Sequence, residues 1–333
     1  MKTKIAIFIM TLFFIYSCDN DTEDRRPPAD EIGKLKIENL NFLDSYIPVD
    51  FYNDLTFTNE NTGYAISRSG KIVKTTDAGN TWTLLNPLGG FYLNKIQFIN
   101  ENVGYVIGGD TKGSYLLKTI DAGQSWTVFD VNSAEKGYPS GLFFKNENEG
   151  YITGSKLFIK TVDGGQNWTD VLANTTENFS DVKFKDNNFG IATTNTSDYY
   201  QTTNGGISWQ IINSTNQNNS GKIYFVGNKT FIKSGNKLVD IQSNLTVDLP
   251  NPADKLLFLN ENKCVGIGQH YATGFFPYGD ILLTNDNWTS FLQKTYAPYT
   301  EILDVNAIAK VNNHKIMAIG RGTKTAKILL LTY

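Results

Sequence analysis

TTDAGNTW, running from Thr75 to Trp82, recurs as TIDAGQSW from Thr119 to Trp126, TVDGGQNW from Thr161 to Trp168 and TTNGGISW from Thr202 to Trp209. The four tryptophans are spaced by 44, 42 and 41 residues. Trp288 closes a shortened copy that begins at Thr284, about two intervals further on, so one repeat lacks its tryptophan. Each position in the stretch has a physical task. Thr75, Thr119, Thr161 and Thr202 supply a hydroxyl at the turn entrance, and Asp77, Asp121, Asp163 and Asn204 accept backbone N–H groups two residues on. Gly79, Gly123, Gly165 and Gly206 supply a positive φ. Apolar residues alternate on both sides, as in Ile72, Val73, Lys74 and then Trp82, Thr83, Leu84, so the stretch reads as a turn joining two antiparallel strands. The tryptophan is expected in the seam between successive repeats.

Asp54 to Trp82 makes a four-stranded unit: LTFTNENTGYAIS gives two strands around a NEN turn, RSGK turns into Ile72–Thr75, and the Asp turn leads to the fourth strand. Units two to four follow with FINENVGYVIGG, FKNENEGYITG and FKDNNFGIATT. Lys222 to Leu249 keeps only the skeleton, and unit six, Lys255 to Leu292, has Cys264 where the others have Gly. The last unit, Val305 to Tyr333, offers three strands, while Leu35 to Phe42 is a strand without a partner. This arithmetic predicts an all-β, seven-bladed β-propeller closed by an N-terminal strand, which leaves only short edges.

The turn resembles the Asp box of the bacterial neuraminidase repeat, found in sialidases, sortilin-type receptors and photosystem II assembly factor propellers. The fuller unit, Gly63 to Leu85, is most similar to the last of these. The resemblance implies a propeller over nearly the whole folded chain, with Asp boxes that shape turns away from the ligand face. It implies little about function, because one architecture serves enzymes, receptors and assembly factors.

Aromatic residues make up 13% of the 333 residues and 29 are glycine, which suits an all-β chain. Net charge is −3, about −5 without Lys2 and Lys4, so nothing draws nucleic acid or an anionic membrane by bulk charge. Residues 1–17 have a basic start and an apolar run too short to span a bilayer, and read as a lipoprotein signal peptide. Ile15-Tyr16-Ser17-Cys18 resembles a lipobox, with Cys18 the lipidated first residue; the other reading is an ordinary signal peptide. Residues 18–33, charged and proline-containing, read as a disordered acidic tether whose DNDTED opening resembles the surface-export signals of Bacteroidota lipoproteins. Residues 34–333 form the propeller, expected at the outer membrane as a monomer held through its lipid alone. Cys264 has no partner cysteine in the mature chain and is expected in the core.

The chemistry is narrowed mainly by what is scarce. A sialidase needs three arginines around the substrate carboxylate, and only Arg68 and Arg321 lie outside the tether. Two histidines exclude a three-histidine zinc site, and no dinucleotide, Walker or nucleophile-elbow signature occurs, so neither cofactor nor metal is expected. A two-carboxylate glycosidase remains as the alternative function, with Asp110, Asp198, Asp280 and Glu301 as scattered acids. The expected recognition surface is the face opposite the Asp boxes. There Gln269 to Asp280 reads as a long loop bearing His270, Tyr271, Phe275, Phe276 and Tyr278, with Phe91, Tyr92, Tyr138, Tyr296 and Tyr299 in neighbouring links. Folding back of Phe275 and Phe276 as a plug is the competing reading. Arg68 and Arg321 occupy equivalent loops of the first and last units and become neighbours on closure, either as an anion site or as plain surface arginines. Together these features favour a non-enzymatic binding or assembly module for a protein or glycan.

Overall fold

The computed structural model of the chain describes residues 36–41, 50–85, 90–131, 137–172, 175–196, 198–212, 221–249, 253–261, 263–271, 277–284, 292–296, 304–321 and 326–332. These contain strands and no helix. After β1 (Lys36–Asn41) come β2 (Tyr52–Phe57), β3 (Gly63–Ser67), β4 (Ile72–Thr75) and β5 (Thr83–Leu84). The second group is β6 (Tyr92–Phe98), β7 (Gly104–Gly109), β8 (Ser114–Thr119) and β9 (Thr127–Asp130), and the third is β10 (Pro139–Phe144), β11 (Gly150–Gly154), β12 (Leu157–Thr161) and β13 (Thr169–Asp170). The fourth is β14 (Phe179–Phe184), β15 (Gly190–Thr194), β16 (Tyr199–Thr202) and β17 (Gln210–Ile212), and the fifth is β18 (Lys222–Val226), β19 (Lys229–Ser234), β20 (Lys237–Asp240) and β21 (Thr246–Asp248). The sixth is β22 (Lys255–Phe258), β23 (Cys264–Tyr271), β24 (Pro277–Thr284) and β25 (Leu292–Tyr296), followed by β26 (Asp304–Asn312), β27 (Lys315–Arg321) and β28 (Ala326–Thr332).

Each group forms one antiparallel four-stranded sheet in sequence order, and the last three strands are completed by β1, which pairs along β28 from Lys36↔Thr332 to Asn41↔Lys327. The molecule is an all-β propeller. Second strands such as β3, β7 and β11 are buried at every position, because sheets cover both their faces. Fourth strands such as β9 are mostly exposed, which places them at the rim. The innermost strands therefore face the centre.

One repeated contact explains the Phe…Gly-Tyr pattern of the sequence. Phe57, Phe98, Phe144 and Phe184 end their first strands directly opposite Gly63, Gly104, Gly150 and Gly190. A Cβ at Gly150 would lie 2.5 Å from the Phe144 ring, so the glycine is required by that ring. In the sixth sheet Cys264 stands opposite Phe258 instead, buried as expected, and burial pushes its thiol pKa well up.

In the first three sheets the residue after that glycine is a tyrosine, which bridges to the next sheet; after Gly190 it is Ile191. Tyr64 stacks on Phe98 at 4.1 Å and Tyr105 on Phe144 at 3.6 Å, with Trp126 and Trp168 standing edge-on to those phenylalanines. The tyrosine hydroxyls donate across the seam to backbone carbonyls, Tyr64 to Ala122 at 2.8 Å and Tyr105 to Glu147 at 3.0 Å. The tryptophans thus lie in the seams, as their spacing predicts. Between the last sheet and the first, Ala307 and Met317 pack with Tyr52, Leu55 and Trp82.

Candidate functional site

The aspartate turns are built alike and fully engaged. Thr119 Oγ1 donates to Asp121 Oδ1 at 2.8 Å and accepts from Gly123 N–H at 2.8 Å. Asp121 Oδ1 accepts the Ser125 N–H at 2.9 Å and Oδ2 its hydroxyl at 2.5 Å. Thr75, Asp77 and Gly79 repeat the set, as do Thr161, Asp163 and Gly165. In the fourth turn Thr202 donates to Asn204, Gly206 N–H bonds Thr202, and Asn204 Nδ2 donates to Ser208. The residue after the acid has a left-handed backbone, φ 59° at Ala78 and 56° at Ala122, as does the next glycine, 86° at Gly79 and 80° at Gly123. Hydrogen bonds from Ser125 hold Asp121 down at about 2, and those from Asn167 do the same for Asp163.

The NEN turns lie on this same face. Asn59, Asn100 and Asn146 accept the N–H groups two and three residues on, and the turns receive the aspartate-turn amides, Ala78 N–H to Asn61 and Ala122 N–H to Asn102. Every acceptor named is committed to holding the two hairpins together.

The opposite face is different. Arg68 follows β3, with its N–H on the Phe51 carbonyl and its Nε donating to Asn53 Oδ1 at 3.2 Å. Arg321 ends β27 in register with Asp304, the same place in the adjoining sheet. The two arginines thus hold equivalent positions on adjoining sheets. Phe51, Tyr92 and Tyr138 precede or begin the first strands of three successive sheets, and are 39%, 56% and 62% exposed.

The Gln269–Asp280 segment departs from its reading as a long loop. β23 and β24 stay paired out to Tyr271↔Pro277, so His270 and Tyr278 are cross-strand partners and Asp280 pairs with Gly268. Continued ladder pairing shortens the connection to residues 272–276. Phe275 and Phe276 lie outside the described residues, as do Cys18, Tyr299 and Glu301. Asp110 accepts the N–H groups of Lys112 and Gly113, a turn-forming role.

At the centre is a feature that reading by loops missed. Asp54, Lys95, Gly141, Asp181, Lys222 and Lys255 occupy equivalent inner-strand positions of six successive sheets, and the five charged ones line a cavity of about 330 Å³ together with Lys183 and Tyr224. A second cavity, about 440 Å³, forms the mouth on the Arg68 face and shares Lys95, Lys222 and Lys255 with the inner one. Asp54 accepts the Ile96 N–H at 3.1 Å and pairs with Lys95 at 3.6 Å. Asp181 accepts the Ile223 N–H at 3.1 Å; burial alone would raise its carboxyl, but Lys222, Lys183 and Lys95 hold it below the usual range. Burial lowers Lys222 and Lys255 to about 8 against the opposing pull of Asp181 and Asp54, and neighbouring lysines add to the lowering. The signal was present in the repeats: the residue just before the central apolar residue of each first strand is charged in five of these six units. Among the described residues no group of three or more His, Cys, Asp or Glu side chains is placed to hold a metal ion.

The sequence profile described as Photosynthesis system II assembly factor YCF48 matches residues 43–143 and 91–215, together more than half of the chain. No curated protein matches the sequence. Among solved structures, YCF48 bound to a D1 peptide is 16% identical with a TM-score of 0.68, over 90% of this chain and 97% of that one. YCF48 from Cyanidioschyzon merolae is 14% identical with a TM-score of 0.63, over 89% and 98%. The GH74 enzyme of Niastella koreensis is 14% identical with a TM-score of 0.65, over 85% of this chain but 52% of that one. These structural likenesses carry the fold, while the profile match carries the family. The chain belongs to the photosynthesis system II assembly factor YCF48 family.

Proposed function

We propose that this chain is an exported, lipid-anchored, seven-bladed propeller that binds a protein partner on its channel-mouth face and performs no chemistry on it. The observation that carries this reading is the gathering of exposed Phe51, Tyr92 and Tyr138 with Arg68 on the face opposite the saturated aspartate turns. Aromatic rings supply contact area and a guanidinium supplies planar donors, the residue types that dominate protein recognition. In this proposal the surface also takes in His270 and Tyr271 at the end of β23, Tyr278 near the start of β24 and Arg321 at the end of β27, whose strand positions put them at the same edge of their sheets. A structural relative carries a bound D1 peptide, which favours a polypeptide over a glycan as ligand.

The test compares two baits on envelope extracts of the source cell: wild type, and the Tyr92→Ala, Tyr138→Ala, Arg68→Ala variant. A partner retained by the first and lost from the second, at unchanged melting temperature, is the expected result. Equal retention by both overturns the reading. For the anchor, mass spectrometry of the native protein should find an acylated Cys18 and Cys18→Ala should leave the membrane fraction. An unmodified mature terminus elsewhere removes it.

Closure of the seven sheets into a ring is part of the proposal, supported by the pairing of β1 with β28 and the packing of the last sheet on the first. Deleting residues 34–42 should lower the melting temperature sharply, because the last sheet loses a strand and the ring its clasp. Unchanged melting would contradict closure.

The glycosidase alternative requires one carboxyl kept protonated near neutrality. Asp54 and Asp181 do share the channel, but Asp181 is held ionised, and every described carboxyl with a shifted pKa is shifted down. This favours binding over hydrolysis.

A further inference from the structure

Ties between inner strands do not require charge. In the first three sheets, neutral side chains make them: Asn53 donates to the Leu93 carbonyl at 2.7 Å, Asn94 to Pro139 at 2.9 Å and Ser140 to Phe179 at 2.7 Å. In the next three, lysines take over. Lys183 donates to the Ile223 carbonyl at 2.8 Å, Lys222 to Ser180 at 3.1 Å, and Lys255 to the Asn53 carbonyl. An ammonium group has three N–H donors, and each of these three hydrogen-bonds one carbonyl.

The channel therefore holds more positive charge than its architecture uses. Four ammonium groups, Lys95, Lys183, Lys222 and Lys255, face two carboxylates, Asp54 and Asp181. Asp54 is paired with Lys95, and Asp181 is shared among Lys222, Lys183 and Lys95. Crowding like charges in a narrow space is unfavourable unless a counter-charge enters. Lys95, Lys222 and Lys255 stand where the inner cavity meets the mouth, so solvent ions reach them. The inner cavity alone has room for about ten waters.

We propose that the central channel is a binding site for a small oxyanion, a carboxylate or a phosphate group, held by the ammonium groups of Lys222, Lys255 and Lys95. The oxyanion accepts their unused N–H donors and neutralises the excess charge. Arg68, at the mouth, adds attraction on the way in. The site does not depend on the rim binding a protein.

The charged and titratable groups facing these lysines are Asp54 from β2, Lys95 from β6, Asp181 and Lys183 from β14, Lys222 and Tyr224 from β18, and Lys255 from β22 with Asp254 just before it. The described lining from β10 and β26 is Leu142, Phe143 and Ile308, which do not titrate. With Lys222 and Lys255 lowered to about 8, the empty site loses its protons above that pH. Anion affinity is then strong at neutrality and falls as pH rises through 8.

Isothermal titration calorimetry on the purified mature chain tests this, with inorganic phosphate in one arm and acetate in the other. Phosphate already carries two negative charges above about pH 7 and acetate one, so loss of binding at higher pH reports the lysines. The expected result is saturable binding with proton uptake near pH 8, weakened about tenfold or more in Lys222→Met and in Lys255→Met. The arm with the tighter binding assigns phosphate or carboxylate chemistry. Binding unchanged in both variants means an adventitious ion only and overturns the proposal, as does no binding of either anion at tens of millimolar. If both variants fail to fold, the wild-type pH series decides: affinity constant from pH 7 to about 9.5 overturns the site, and a steep fall through 8 supports it.

Discussion

The two faces of this propeller use polar residues in opposite ways. On the aspartate-turn face, every carboxylate oxygen of Asp121 has a partner inside its own hairpin, and the seam tyrosines donate into the same turns. On the channel-mouth face, Arg68 makes one side-chain bond, three aromatic rings stand exposed, and the lysines keep donors to spare. The residues that repeat are those the fold consumes. What the fold leaves over varies from unit to unit, and there a ligand finds something to hold.

The largest effect should come from breaking the repeating part. Gly150→Ala puts a methyl group 2.5 Å from the Phe144 ring, which is itself stacked on Tyr105 with Trp168 edge-on to it. The ring cannot move without opening the seam, so about 1–3 kcal/mol of destabilisation is expected in chemical denaturation. Anion binding in the channel should survive. A neutral result would mean the glycine is not there for the ring.

Thr119→Val is next. The shape is kept, but Gly123 N–H loses its buried acceptor and Asp121 a donor, at a cost of about 1–2 kcal/mol. The same change at Thr75 or Thr161 should cost a similar amount, because the geometry repeats. Large differences among the three would show that the turns are not equivalent.

The fold was legible because its determinants are local and repeat. Each Thr-Asp-Gly-Trp stretch states its own turn, the Phe and Gly of each unit state their pairing, and the missing strand of the last unit matches the spare one at the start. The skeletal fifth unit still forms four strands, with Asp240 taking up the turn by accepting from Gln242 N–H and the Ser243 hydroxyl. The site was legible only in part. Arg68 and Arg321 are legible as equivalents, since that follows from the repeat. The Gln269–Asp280 segment reads as a loop because its polar and aromatic composition hides a ladder that continues to Tyr271 and Pro277. The channel lysines are not legible in any single unit, because a Lys within a strand reads as solvent-facing. Only superposition of six units shows them converging.

Acid should weaken the aspartate-turn face and leave a different signature in the channel. Asp121 and Asp163 are lowered to about 2, so their contribution is complete above the ordinary carboxylate range and is lost as pH falls from about 4 toward 2. Lys222 and Lys255 are lowered to about 8, so the unfolded chain binds more protons between about 8 and 10.4, and stability from this pair rises with pH across that window. Denaturation midpoints measured across both windows should show the two slopes. Added phosphate should flatten only the alkaline one, by supporting the protonated lysines.

The smallest effect is expected from Asp121→Asn, and the fourth turn says why. Asn204 accepts the Ser208 N–H through Oδ1 at 3.0 Å and donates through Nδ2 to the Ser208 hydroxyl at 2.9 Å, so an amide completes the same turn by reversing one donor. In the Asp121 turn the partner hydroxyl belongs to Ser125, which can rotate to accept. The turn is exposed, so solvent screens most of what the charge contributes, and the change at neutral pH should stay within about 0.5 kcal/mol. Below pH 4 the variant should outlast wild type slightly, because one lowered carboxylate no longer has to be protonated. A substantial loss at neutrality, or any loss of partner or anion binding, would give this face a role beyond holding hairpins together and erase the division between the two faces.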